Sequence, residues 1–443
     1  MYIREVKCPM SIAERLNILR PIINVNMCFF GIELCWALLM ANISTVLIFL
    51  GAMPATLAYL WLAPPLIGLI MQPVVGQISD NTVSRYGKRI PYMFVGLILG
   101  CLLCFLLPFA KSLWLGTILL WLLLIVVNVA HQPMRALAVD IIPHSHLTFG
   151  FAIQMCLIGA GSIVGTAMPY LLNRFSTISI QGAYQPVFIT LSLFVAGILA
   201  LMTGLWTCFT IKEASDPTPT VARERISVFK AFKDVYENTL HMPKILKQIS
   251  VAQFLTWIGL FTTFAYLNLS IAQTMFGLPP GADINHNAFN KALMVKATSY
   301  NSLCFLCFQI SSFIVALALP GIVRFINRKT WLSFSLVLGG IGLLSTFITP
   351  AHYIFTTVAL GVSWGSGILY LTMIATNLPK EKMGLYMGLF NIANTASQIF
   401  TGLILGPIIK YFLHNQVHGL VAFSGLFLLL AAIFNQRIED KGK

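Results

Sequence analysis

The stretch GQISDNTVSRYGKR, residues 76–89, joins two long apolar segments and combines glycines with charges of both signs. Glycines let two helix ends approach closely, and Asp80 can accept hydrogen bonds from basic groups and from a helix N-terminus. Arg85, Lys88 and Arg89 supply the positive charges. Such a cluster holds one conformation and must break in another, which is typical of a gate. The alternative is that the basic residues only anchor a loop at lipid headgroups.

The composition of the chain excludes a soluble protein. Of its 443 residues 58% are hydrophobic and only 9% are charged, against roughly 25% charged in an average soluble domain. A cytosolic enzyme is therefore excluded, and so is a nucleic-acid-binding protein, since the net charge of +14 has a membrane explanation. The cysteines mostly lie in apolar runs, which argues against a secreted disulfide framework. We expect a polytopic membrane protein.

Twelve apolar segments are long enough to cross a bilayer as α-helices, a length of roughly 20 residues. They cover residues 22–49, 56–79, 90–110, 113–142, 148–173, 186–211, 245–276, 293–319, 330–349, 351–377, 382–411 and 416–436. A polar linker at 212–244, expected to be a solvated cytoplasmic connector, divides the chain into an N-terminal half, 1–211, and a C-terminal half, 245–443. Six helices on each side of a linker are typical of a repeated transporter.

The basic residues predict the orientation of these segments. Of the 28 Lys and Arg residues, 22 fall in the termini and alternate loops on one side, against five on the other, while Arg135 lies within a span. Because Lys and Arg concentrate on the cytoplasmic side of membrane proteins, both termini are predicted to be cytoplasmic.

Weak echoes link the two halves. Pro143 follows the fourth segment as Pro379 follows the tenth, and the loop before the ninth segment, with Arg324, Arg328 and Lys329, is a degenerate counterpart of residues 76–89. Together these echoes favour an internal repeat.

Further motifs lie inside the segments of both halves. They are FGIELCWAL at 30–38, PPLIGLIMQPVVG at 64–76, QPMRALAVD at 132–140, QFLTW at 253–257 and KMGLYMGLFN at 382–391. Together with residues 76–89 they resemble the major facilitator superfamily, and within it the sucrose-transporter-like branch of the glycoside–pentoside–hexuronide:cation symporters. The resemblance implies an all-α fold of twelve helices in two halves. It also assigns Arg135 and Asp140 to a cytoplasmic gate, together with Asp80 and the basic residues 85–89.

Glu33, near the middle of the first segment, is the candidate for coupling or substrate binding, since ionisable residues within the membrane are costly and usually functional. The alternative is a neutral glutamic acid bonded between helices. The resembled family carries a proton-binding acid nine positions before Pro133, and here that position is Leu124. Either Glu33 has taken over the coupling, or transport is uncoupled.

The resemblance places the first, seventh and tenth segments around a central cavity, where aromatic faces and amide groups can bind a sugar. The candidates are Trp36, Trp257 and Trp364, together with Asn128 and Gln132 on one face of the fourth segment. A tryptophan in a membrane protein can equally serve packing or an interfacial belt. An intramembrane amide can equally form an interhelical hydrogen bond.

The sequence therefore predicts a secondary transporter for a small polar solute, a sugar or glycoside such as sucrose or maltose, working by alternating access. Proton symport is expected, with a proton or cation gradient as the energy source, no bound cofactor and no metal site. We expect no enzyme activity, no nucleic-acid partner and a monomer in the bilayer of the inner or plasma membrane. The alternatives are a uniporter or exporter of another solute on the same fold, and a non-transporting membrane sensor.

Overall fold

A computed structural model describes residues 12–80, 82, 84–143, 146–175, 180–213, 242–379 and 383–440. The described residues form helices and connecting loops without β-strands. The predicted linker at 212–244 lies mostly outside the described residues, so the boundaries of the two halves stay a prediction.

Six helical spans form the N-terminal half. They are α1 (Ile12–Phe49), α2a (Pro54–Leu60) with α2b (Ala63–Asp80), α3 (Ile90–Leu106), α4 (Leu113–Ile141), α5 (Leu147–Phe175) and α6 (Val187–Thr210). The C-terminal half contains α7 (Lys244–Met275), α8 (Ala288–Phe325), α9 (Arg328–Ser345), α10a (Tyr353–Ser366) with α10b (Ile368–Asn377), α11 (Met383–Pro407) and α12 (His418–Gln436). This order confirms the twelve segments predicted from hydropathy.

Eleven of these spans are long and apolar enough to cross a membrane. The remaining one, α9, has 18 residues and begins with Arg328 and Lys329, which lower its mean hydropathy. Both α1 and α8 are longer than predicted, because a helix can continue beyond the apolar stretch by which a span is recognised. The protein is thus a multi-pass integral membrane protein.

The same helix pairs contact one another in both halves. In the N-terminal half α1 packs against α5 and α6, and α3 packs against α4 and α6; in the C-terminal half α7 packs against α11 and α12, and α9 packs against α10 and α12. Between the halves, α2 contacts α11 and α5 contacts α8. This correspondence supports the internal repeat that the sequence echoes suggest.

Glycines fix the backbone of α1 on both sides of Glu33. A Cβ atom at Gly161 would overlap the carbonyl oxygen of Phe30, and one at Gly165 would overlap that of Leu34. On another side of α1, a Cβ atom at Gly31 would lie 2.6 Å from the Cα atom of Ala200 in α6. Small residues at such crossings let membrane helices approach closely.

We expect Gly165→Ala to lower the thermal stability of the purified protein, because the new methyl group forces α1 and α5 apart. Overpacking of this kind costs about 1–3 kcal/mol. Gly321→Ala is the matched control, since a Cβ atom at Gly321 of α8 meets no atom within 4 Å. The measurement is the melting temperature in detergent, and equal values for the two variants would contradict the tight crossing.

Candidate functional site

The burial of α1 and α7 changes along their length. From Ala37 to Leu50 every residue of α1 and the following turn is buried except Met40, and from Ile258 to Ala272 every residue of α7 is buried except Phe264. In the earlier part of both helices partly exposed residues recur. The two helices are therefore enclosed at one end of the bundle, the end opposite residues 76–89, and more open toward the other.

Hydrogen bonds between the halves lie at this closed end. Five such bonds, each given from its donor to its acceptor, are Ser44 Oγ to Ala265 O at 2.5 Å, Asn268 Nδ2 to Thr45 Oγ1 at 2.5 Å, Asn301 Nδ2 to Ala41 O at 3.1 Å, Tyr266 OH to Pro54 O at 3.0 Å and Asn173 Nδ2 to Ser299 Oγ at 2.9 Å. All these groups are uncharged. The closed end is thus held by amides, hydroxyls and backbone carbonyls.

Glu33 lies beside His131 between α1 and α4. Glu33 Oε1 is 3.3 Å from His131 Nε2, and the two side chains are only 13% and 14% exposed. The ring of Phe29 meets the imidazole edge to face, with 6.1 Å between ring centroids. In the sequence His131 belongs to the same polar stretch of the fourth segment as Asn128 and Gln132, but no role was predicted for it, although a histidine within a span is an ionisable intramembrane residue like Glu33.

The polar face of α4 is only partly available to a solute. Asn128 is buried, and its Nδ2 donates to the carbonyl oxygen of Leu124 in the same helix at 2.8 Å, whereas Gln132 is partly exposed. Leu124 itself is fully buried in the apolar core. The solute-binding roles of Asn128 and Gln132 stay predictions.

Two of the three predicted tryptophans meet across α7 and α10a. The rings of Trp257 and Trp364 lie edge to face with centroids 5.5 Å apart, and Phe264 and Phe308 extend the cluster around Trp364. Trp364 is 39% exposed, so one part of this aromatic surface is accessible. Trp36 lies in the N-terminal half, partly exposed and packed against the core.

At the open end, Asp140 at the end of α4 joins the predicted gate residues. Its Oδ2 lies 3.4 Å from Arg89 Nε and 3.6 Å from Lys88 Nζ, while Arg89 Nη1 donates to Ser79 Oγ at 2.8 Å. These contacts bring Lys88, Arg89 and Asp140 together as the sequence analysis proposed.

The other predicted gate residues are less connected. The guanidinium of Arg85 lies over the ring of its neighbour Tyr86. Arg135 is exposed, and the structure records no ion pair for it among the described residues. The side chain of Asp80 lies outside the described residues. The gating role of the whole set stays a prediction.

Glu213 is a member of this cluster that sequence reasoning missed. Its Oε2 accepts hydrogen bonds from the backbone N–H groups of Arg89 at 2.9 Å and Ile90 at 3.4 Å, where α3 begins. A carboxylate at a helix N-terminus is favourable because the helix dipole is positive there. The prediction of a solvated connector is therefore wrong for Glu213, which packs against the N-terminus of α3.

The C-terminal half contains a corresponding arrangement. Arg328, at the start of α9, pairs with Asp440 at 3.3 Å with both side chains buried, and Asp440 also accepts a hydrogen bond from Asn377 Nδ2 of α10b at 2.7 Å. Asp440 follows α12 as Glu213 follows α6. In each half, therefore, an acidic residue that follows the last helix binds the start of the third helix: Glu213 binds α3, and Asp440 binds α9.

Residues 25–402 match the sequence profile of the Major Facilitator Superfamily, and the chain belongs to this family of transporters. It is similar to the general alpha-glucoside permease of Schizosaccharomyces pombe, 26% identical over 321 residues that cover 68% of this chain and 55% of the permease. It is also 23% identical to the sucrose transport protein SUT1 of Oryza sativa subsp. japonica, over 60% of this chain and 56% of that protein. The chain thus aligns with just over half the length of these relatives.

Solved structures share the fold. The nucleoside transporter NupG superimposes with a TM-score of 0.66 at 12% identity, covering 96% of this chain and all of that one. A D-xylose-proton symporter gives a TM-score of 0.65 at 15% identity, covering 97% and 99%. The comparisons confirm the predicted fold and the resemblance to sucrose and α-glucoside transporters, which are not enzymes.

Proposed function

We propose that this protein transports a glucoside, a disaccharide such as sucrose or maltose, by alternating access. The observation that supports this most strongly is the pairing of Trp257 with the accessible Trp364 on the C-terminal half. Aromatic faces pack against the C–H surface of sugar rings. The similarity to the alpha-glucoside permease and the sucrose transport protein points to the same substrate class.

The N-terminal half would supply the polar side of the site. Carboxylate and amide groups recognise sugar hydroxyls, because they accept or donate hydrogen bonds at fixed positions. Glu33 of α1 and Gln132 of α4 are both partly exposed. A solute held between them and the tryptophans would contact both halves.

The excess of Lys and Arg in one set of loops supports an orientation with the closed end on the extracellular side and both termini in the cytoplasm. In that orientation the structure is closed to the outside and open to the inside, the state from which an importer releases its solute. The host membrane would be the cell's inner or plasma membrane, and the unit a monomer.

Coupling to protons is the further part of the proposal. Leu124 cannot bind a proton, so Glu33 is the candidate carrier. Protonation would remove the charge of its carboxylate and permit the loaded protein to reorient. A uniporter, or an exporter of another solute, is the alternative if Glu33 binds no coupling proton.

The substrate class is tested by uptake of labelled sucrose and maltose into proteoliposomes, with a nucleoside as the negative control. Trp364→Ala should raise the KM for sugar roughly fivefold, since an aromatic contact contributes about 1 kcal/mol. The matched control is Trp114→Ala, because Trp114 is 79% exposed in the first turn of α4. Nucleoside uptake without sugar uptake by folded protein, or an unchanged KM in Trp364→Ala, would contradict the proposal.

A further inference from the structure

We propose that His131 shares the coupling proton with Glu33, so that the Glu33–His131 pair, rather than a carboxyl group at the position of Leu124, is the coupling site. This inference rests on the proposed function, and it adds a specific partner to Glu33. It assigns a role to a residue of α4 for which the sequence pattern predicted none.

The first support is the geometry of the contact. Glu33 Oε1 and His131 Nε2 are 3.3 Å apart, and among the described residues Nε2 is a buried atom without an aligned hydrogen bond. A buried polar atom left without a hydrogen bond is destabilising. A proton placed between Nε2 and Oε1 would convert this close approach into a charge-assisted hydrogen bond. The contact is therefore poised to gain a proton.

The second support is the surroundings of the pair. At this level α5 presents Gly161 and Gly165 to α1, and α6 presents Ala200 and Thr203 near Gly31. The ring of Phe29 packs against the imidazole. On α4, Arg135 follows His131 by one helical turn and is exposed toward the open end. The pair thus sits between glycine-lined helix crossings, with the cation of Arg135 one helical turn toward the open end.

The charges of the pair explain why two groups serve better than one. Without the coupling proton, a carboxylate and a neutral imidazole have a net charge of −1. One proton taken up from the extracellular side, while the cavity is open there, gives imidazolium and carboxylate, with no net charge. Enclosing a lone charge in a low-dielectric site is strongly unfavourable, whereas enclosing a charge with its opposite partner is much less so. Binding the proton therefore favours closure of the cavity.

A proton bound to His131 rather than to Glu33 also leaves the Glu33 carboxylate able to bind sugar hydroxyls. A carboxylate accepts hydrogen bonds from sugar hydroxyls, and a Glu33 that held the proton itself would lose part of this capacity. With the proton on the imidazole, Glu33 can bind a hydroxyl and pair with His131 at the same time. When the sugar leaves into the cytoplasm, the imidazolium loses its proton to the water there, so that sugar and proton are released on the same side.

The test measures the plateau ratio of labelled sugar inside and outside proteoliposomes under an imposed inward proton gradient. His131→Gln keeps a hydrogen-bonding side chain but cannot hold a proton, so its ratio should fall to 1, whatever its remaining rate. The exchanged variant Glu33→His with His131→Glu restores an acid and an imidazole across the same gap. Its ratio should exceed that of either single variant, a rescue that a merely structural histidine would not give.

A second measurement, of proton uptake on sugar binding, does not need transport and applies if a variant transports too slowly to reach its plateau. Purified protein in weakly buffered detergent solution should take up one proton per bound sugar, and His131→Gln should take up none, with melting temperature as the folding control. Wild-type accumulation by His131→Gln, or no rescue by the exchanged variant, would overturn the inference. Absence of sugar transport by the wild-type protein would instead contradict the proposed function. Loss of accumulation in Glu33→Gln but not in His131→Gln would overturn the role of His131 alone.

Discussion

Glu33→Gln is expected to convert an accumulating transporter into one that only equilibrates its sugar. The amide has nearly the same shape as the carboxyl group and still forms hydrogen bonds, but it cannot take up a proton. A gradient of one pH unit corresponds to about 1.4 kcal/mol per proton and can support about tenfold accumulation. In Glu33→Gln the inside-to-outside ratio should fall to about 1 under the same gradient.

Glu33→Asp is the control for this prediction, because it keeps a carboxyl group on α1 and shortens the side chain by one methylene. It should retain accumulation above unity even if the rate falls. The measurement is the plateau of labelled sucrose or maltose in proteoliposomes with and without the gradient. Undiminished accumulation by Glu33→Gln would remove Glu33 from the coupling mechanism.

Asn268→Ala is expected to open the closed end of the bundle. Asn268 Nδ2 donates both to Thr45 Oγ1 of α1 at 2.5 Å and to Thr298 Oγ1 of α8 at 3.2 Å, so one side chain joins the two halves. Removing a hydrogen-bond partner at a buried site costs about 1–3 kcal/mol. In this variant the population that is open at this end should therefore rise fivefold or more.

The opening can be followed with a cysteine at Ala265, a fully buried position of α7 whose carbonyl oxygen accepts from Ser44. An impermeant thiol reagent should label Ala265→Cys faster when Asn268→Ala is also present. The matched control is Asn42→Ala, because the Nδ2 atom of Asn42 donates to Leu38 O within α1 and does not bridge the halves. Equal labelling rates for Ala265→Cys alone, with Asn268→Ala and with Asn42→Ala would be inconsistent with a closed end held by Asn268.

The helices and the contact of Lys88 and Arg89 with Asp140 could be predicted, because each rests on a local or chemically conspicuous pattern. Apolar runs locate the spans, and Lys88, Arg89 and Asp140 stand out as charges at span ends. Glu213 could not be predicted in this role, since it lies 124 residues from the backbone N–H that it binds. The buried pairing of Asp440 with Arg328 is hidden for the same reason.

The side-chain neighbours inside the bundle were less predictable. Glu33 is conspicuous alone, but its proximity to His131 depends on how α1 and α4 rotate against each other. The residues that form the hydrogen bonds between the halves carry no charge, and an amide such as Asn268 or Asn301 in an apolar span is easily interpreted as forming an ordinary interhelical bond. Only the packed structure shows that these bonds connect one half to the other.

The central claim is that this protein uses a proton gradient to concentrate a sugar. Its most direct measurement is the plateau of labelled sucrose or maltose in proteoliposomes containing the wild-type protein, with an inward proton gradient and again after a protonophore has collapsed it. Sugar should accumulate above the outside concentration only while the gradient persists. Equal plateaus at a ratio of 1 under both conditions would contradict the claim and identify a uniporter.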